Sequence, residues 1–265
     1  MINYIKTNMK RILVIIGVLV GVVILLQPSG TKHLEVEHEV ENGVPLESLN
    51  KISYEDTIDL TLKEHQDSIT FLAETFQINE EILTEKLTSN FKELNLAESN
   101  ENFDKIVVDY LFKLEESEKT LFNNKRTNGN KDKDYIVKLV KYFSNIYDNV
   151  DFSIAAGIAK VESGYISKYM LNKNNIFGGM YNGNLIGYKN IEYGTLKFIK
   201  LLSEGYFGKG LVTVEDIGRV YNPMINESGV KTAKPTWVYN VTLAMEDFIE
   251  VEAVDTTLLL SLKNV

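Results

Sequence analysis

Fifteen consecutive residues, Ile12 to Leu26, are apolar or glycine, and the flank before them carries Lys6, Lys10 and Arg11 with no acid anywhere in residues 1–30. A helix needs about 20 apolar residues to cross a bilayer core, while a secretory leader needs an apolar stretch of about 7–15. The run closes with Gln27-Pro28-Ser29-Gly30, without the small-x-small pattern at which leaders are cut. Lys10 and Arg11 can snorkel and so lengthen the span. The expectation is an uncleaved single-pass anchor, with a cleaved signal as the alternative. The basic flank stays inside, so the rest of the chain lies outside the cell membrane.

The 265 residues include no cysteine and three histidines, His33, His38 and His65. A disulfide framework, thiolate chemistry and Cys-rich zinc sites are therefore excluded. Beyond residue 65 there is no imidazole. A Ser-His-Asp triad, a Cys-His pair and an HExxH zinc site are thus excluded from the C-terminal half. An enzyme in that half works with carboxylates, and no metal or cofactor is expected.

Charge then divides the chain. Residues 31–134 hold 12 Lys and Arg against 24 Asp and Glu, whereas residues 135–250 hold 12 against 11. An acidic segment repels nucleic acid and anionic lipid, so no nucleic-acid partner is expected. Apolar residues roughly at helical spacing (Ile58, Leu60, Leu62, Ile69, Leu72, Phe76) predict a helix over Tyr54–Phe76. A second is expected after Asn79, as N-cap, through Ile82, Leu83 and Leu87. A third covers Phe103–Leu121, with Ile106, Val107, Tyr110, Leu111 and Leu114 on one face. Asn123–Asp134 (NNKRTNGNKDKD) has no apolar residue and reads as a linker. The expected organisation is a cytoplasmic flank and anchor in 1–30 and an acidic helical segment in 31–122, a candidate protein-partner module. The linker 123–134, a self-folding domain in 135–252 and a tail in 253–265 follow. The fold class is mainly α.

In the C-terminal domain, Tyr135–Tyr147 is predicted as a helix, and Asp151 or Ser153 can cap the next, Ile154–Glu162. That second helix is small and apolar, and Gly164 can supply its left-handed stop. Glu162 then sits at a buried helix C-terminus. Burial and the negative end of the helix both oppose ionisation and raise its pKa, which suits a general acid near neutral pH. Asn174-Asn175-Ile176-Phe177-Gly178-Gly179 suits a loop whose backbone lines a cleft. Met180–Tyr188 reads as a β-hairpin around Asn182-Gly183. Glu192 precedes an amphipathic helix, Thr195–Leu202, and has a bland reading as its first-turn acid. Thr213-x-x-Asp216 is a capping box for a short helix that ends before Pro223. Pro235 opens a last helix, Thr236–Val251, that carries Trp237, which suits a core as well as a sugar platform.

Taken together, Glu162-Ser163-Gly164, Asn174-Asn175-Ile176-Phe177-Gly178, the hairpin, Tyr221-Asn222-Pro223 and Trp237 resemble the lysozyme-like peptidoglycan hydrolases. The closer resemblance is to membrane-anchored bacterial glucosaminidases, over residues 135–250. It implies a lysozyme-like α+β lobe with a small hairpin and a groove for a glycan strand. It further implies an endo-beta-N-acetylglucosaminidase acting on peptidoglycan strands, with Glu162 as catalytic acid and Glu192 as a second carboxylate. Asn175, Phe177, Tyr221, Asn222 and Trp237 would contact substrate. The Ser-x-x-Ala pattern of glucosaminidases is absent after Glu162. So is the Gly-Leu-Met-Gln motif of lytic transglycosylases, where Phe177-Gly178-Gly179-Met180 stands. A lytic transglycosylase and a non-catalytic wall-binding scaffold are the alternatives. The setting implied is the cell membrane of a Gram-positive-type surface, with the lobe extracellular.

Overall fold

The computed structural model describes residues 54–91, 102–127 and 131–248, and the elements among them are mainly helical. The apolar run 12–26 and the tail 253–265 lie outside the described residues. Among the described residues no helix is long and apolar enough to cross a membrane.

The acidic segment forms α1 (Tyr54–Glu64), α2 (Gln66–Phe76), α3 (Glu80–Ser89) and α4 (Phe103–Ser117), closed by a 3-10 turn at Lys119–Leu121. The single helix expected over Tyr54–Phe76 is broken at His65, which leaves helical geometry (φ −101°, ψ 17°) and stacks its ring on Phe103 at 3.9 Å. Asn79 caps α3 as expected, its side chain accepting from the Ile82 N–H at 3.1 Å.

The C-terminal part forms α5 (Lys133–Ile146), α6 (Phe152–Ser163), α7 (Lys168–Leu171) and hairpin β1 (Met180–Tyr181) with β2 (Asn184–Leu185). Next come α8 (Ile191–Leu201), α9 (Val214–Tyr221), strands β3 (Pro223–Ile225) and β4 (Lys231–Ala233), and α10 (Pro235–Met245). Asp151 caps α6 through the Ser153 and Ile154 N–H groups, and Thr213 caps α9 through Asp216. Asn182 and Gly183, at φ 50° and 76°, make the hairpin turn their sequence predicted. The β3–β4 hairpin was not expected from the sequence. It pairs Met224 with Thr232 and places Pro223 at a strand start, where its missing N–H costs no ladder bond.

Helix α6 is small because α10 crosses it closely. A Cβ on Gly157 would lie 3.0 Å from the Val241 carbonyl oxygen. Larger residues along that face would separate the two helices that carry Glu162 and Trp237.

The boundary expected at 123–134 is corrected by the packing. The described residues from 54 to 248 belong to one compact unit, and one continuous core runs through both sides of the supposed linker. Phe71 of α2 meets Tyr142 edge-on at 5.2 Å, and Phe76 meets Tyr193 at 5.4 Å. The stretch itself is held by its backbone. The Thr127 N–H donates to the Lys189 carbonyl at 2.8 Å, and its own carbonyl accepts from Asn174 Nδ2 at 3.1 Å. Lys189, buried, donates to the Phe76 carbonyl at 2.6 Å and pairs with Glu115 at 2.5 Å. Burial lowers the Lys189 pKa, and the Glu115 hydrogen bond opposes that. Such a pair is strongly destabilising to break from one side, because a buried charge is left uncompensated.

Candidate active site

Glu162 stands in the last turn of α6, where the chain must turn sharply. Gly164 (φ 56°) and Tyr165 (φ 68°) are both left-handed. The Tyr165 ring is buried, and its N–H donates to Ser163 Oγ at 3.1 Å. A bulky residue in that region stores about 1–3 kcal/mol of strain, of the kind that collects at functional sites.

The carboxyl group of Glu162 opens onto a cleft of about 420 Å³. Trp237 Nε1–H donates to Oε1 at 2.8 Å. The other oxygen lies against the backbone of Gly178, where a Cβ would sit 2.9 Å from Oε2. Gly178 is also left-handed (φ 70°), so the position calls for glycine twice over. Burial raises the Glu162 pKa above the ordinary carboxylate value, and the indole hydrogen bond pulls it partly back. The C-terminal end of the helix opposes ionisation as well.

The loop 174–179 is fixed by its own amides. Asn175 lines the cleft, yet its Nδ2 donates to the Gly179 and Ile186 carbonyls, both at 2.9 Å. Asn174 is buried and left-handed, and also donates to the Tyr188 carbonyl. These side chains shape the wall and have little hydrogen-bonding capacity left for a ligand.

Tyr221 lines the cleft at the end of α9 and donates its hydroxyl to the Phe177 carbonyl. Its ring lies 5.4 Å from that of Trp237. Burial and the Glu162 charge hold its phenol well above the ordinary value, so it acts as a neutral group. Asn222 lines the same wall; its carbonyl accepts from the Lys234 N–H at 3.1 Å.

Three expectations need correction. Glu192 does not line this cleft. It lies in the first turn of α8, accepts the Tyr135 hydroxyl at 2.5 Å and faces Lys131 at 4.0 Å. The helix begins at Ile191, earlier than expected, because Asn190 caps it through the Tyr193 N–H. Phe177 is buried and stacks on Phe198 at 3.9 Å, so its ring is core and only its carbonyl serves the site. Trp237 is buried behind Glu162 and does not line the cleft; it is a partner of the carboxyl group, not a sugar platform.

Sequence reasoning missed Tyr188, Lys197 and Tyr206 in the cleft wall. Tyr206 closes a π-helical turn, Leu202–Tyr206, that continues α8. Such turns recur at functional sites but have no composition signature.

No protein-family model, no curated protein and no solved structure matches this chain. Among the described residues no group of His, Cys, Asp and Glu is arranged to hold a metal ion.

Proposed function

We propose that this chain is a glycoside hydrolase that cuts the glycan strands of peptidoglycan, with Glu162 as general acid. One observation carries the reading. A half-buried carboxyl of raised pKa faces an open cleft, with an indole donor fixing one oxygen and glycine backbone beside the other. A group of that kind holds its proton to a higher pH than an ordinary carboxyl and can deliver it to a glycosidic oxygen, whose sugar then passes through an oxocarbenium-like state. The resemblance in sequence names the glycan; a lysozyme-like lobe and the glucosaminidase bond preference are part of this proposal.

Glu162 is the single acidic side chain lining the cleft among the described residues. That favours mechanisms with one protein carboxylate. In the first, the substrate's N-acetyl oxygen attacks the anomeric carbon and water opens the resulting ring, giving a reducing end. In the second, the sugar's own C6 hydroxyl attacks and leaves an anhydro end, as in a lytic transglycosylase. The proposal places the enzyme outside the cell, held at the membrane by residues 12–26.

Glu162→Gln is expected to lower cleavage of purified peptidoglycan by roughly 10²–10⁴-fold, the scale of general acid catalysis. Mass spectrometry of the wild-type digest then separates reducing from anhydro ends. Absence of any cleavage by the wild type would leave the cleft a binding site on a non-catalytic scaffold.

A further inference from the structure

Helix α8 carries a row of lysines along the seam with the acidic helices. Lys200 pairs with Asp109 at 3.1 Å and with Glu204 at 2.6 Å. Lys189, just before the helix, pairs with Glu115. Lys197 differs. It lines the cleft, it is exposed, and among the described residues no carboxylate lies within ion-pair distance of it. Its ammonium lies 4.8 Å from the centre of the Phe112 ring of α4 and 5.9 Å from that of Tyr193.

An aromatic face holds a cation without neutralising it. Phe112 and Tyr193 therefore hold the ammonium of a cleft-lining lysine without neutralising its charge. In a chain of net charge −9, where the neighbouring lysines have found acids, an unpaired cation on a cleft wall is a docking point for an anion. The general acid itself gains nothing from that anion, since it works in its neutral form. The cation thus serves binding, not proton transfer.

We propose that Lys197 is a specificity-determining residue that reads a carboxylate carried by the glycan, and that Phe112 of the acidic segment holds it in place. The inference rests on the glycosidase reading above and names the substrate class within it: a glycan bearing carboxylates rather than a neutral one. Peptidoglycan offers this group in two places, on the lactyl ether of a muramic acid that carries no stem peptide and on the stem peptide where one is attached. The acidic segment then completes the site instead of merely tethering it.

The test uses the full chain and three soluble glycans of equal length: a neutral N-acetylglucosamine oligomer, a peptide-free glycan with lactyl carboxylates, and a glycan with intact stem peptides. Cleavage rates are compared for wild type and Lys197→Met, which keeps the stem and removes the charge. Loss of one partly exposed ion pair should raise KM for a carboxylate-bearing glycan by about 5-fold, with kcat unchanged. The neutral oligomer should be cut equally by both proteins, and added salt should erase the difference on the anionic glycans. An effect confined to peptide-bearing glycan assigns the stem-peptide carboxylate; one confined to the peptide-free glycan assigns the lactyl carboxylate, which an attached stem peptide consumes as an amide; an effect on both means that Lys197 reads either. Phe112→Leu should reproduce the KM effect in part. Equal losses on all three glycans, or none, would overturn the inference while leaving the glycosidase reading intact. If the wild type cuts none of the three, the glycosidase reading falls and this inference falls with it.

Discussion

The C-terminal end of α6 and the N-terminal end of α8 each carry a glutamate, and the two ends treat it in opposite ways. Glu162 sits where exposed backbone carbonyls disfavour negative charge, with one indole N–H for company and a cleft in front. Glu192 sits where free backbone N–H groups favour negative charge, takes a tyrosine hydroxyl at 2.5 Å and faces a lysine. The first is poised to hold a proton. The second uses Oε1 to tie the start of α8 to Tyr135 of α5. A carboxylate in the right region of the sequence is therefore not a catalytic candidate until its helix end and its partners are known.

The sharpest way to break the comparison is to convert both residues to glutamine. Glu162→Gln should cost roughly 10²–10⁴-fold in rate. It should also stabilise the fold slightly at neutral pH. The sign follows from linkage. A carboxyl whose folded pKa is raised destabilises the native state as pH climbs from the unfolded value to the folded one, and glutamine has no such penalty. Glu192→Gln should leave the rate unchanged and lower stability by about 1 kcal/mol, through a weaker tyrosine bond and a lost first-turn charge. Rates on peptidoglycan and thermal melts of both variants decide the matter. The reverse pattern of rates would make Glu192 the acid.

Gly178 tests the space beside Glu162. Gly178→Ala forces a side chain into a left-handed position and within 2.9 Å of Oε2. The carboxyl must move, and a displacement of about 1 Å at a reacting group can cost about 10²-fold in rate. Gly183→Ala is the control. It is equally left-handed, at φ 76°, but a Cβ there meets nothing within 4 Å. Both should lose a similar, small amount of stability, and only the Gly178 variant should lose rate. Equal rates would mean that the carboxyl position is uncritical.

Much of the fold was legible because it is local. Asn79, Asp151 and Thr213 cap their helices within three residues, and Asn182-Gly183 makes its turn from its own backbone preference. What escaped is long-range. The stretch 123–134 looks like a tether because it lacks apolar side chains, yet Thr127 is bound through its backbone to Lys189 and Asn174. Lys189 reads as a surface lysine until Glu115 and the Phe76 carbonyl enclose it. The candidate site divides the same way. Glu162 was visible from the stop at Gly164, but its pairing with Trp237 spans 75 residues and leaves no trace in spacing. The resemblance implies that Phe177 contacts substrate. Its neighbour Phe198, on a helix 21 positions later, makes it core.

The smallest effect, and the most direct view of the acid, comes from Trp237. It is the only tryptophan in the chain, and its N–H is bonded to the carboxyl in question. Its emission should therefore titrate with Glu162, with a midpoint above the ordinary carboxylate range, and that transition should vanish in Glu162→Gln. Trp237→Phe keeps an aromatic ring and removes the donor. Without it the ionised form loses its one stabilising bond, so the Glu162 pKa should rise further. The descending, alkaline limb of the pH–rate profile reports the proton on the general acid, and it should move to higher pH. Below that limb the loss of rate should be modest, because the carboxyl is still protonated and only its orientation has slackened. The variant should melt lower as well, since a buried ring has been made smaller. Packing alone predicts that lower melt; it does not predict a shifted limb. A profile that falls uniformly at every pH would therefore reduce Trp237 to a core residue and remove the indole from the account of the acid.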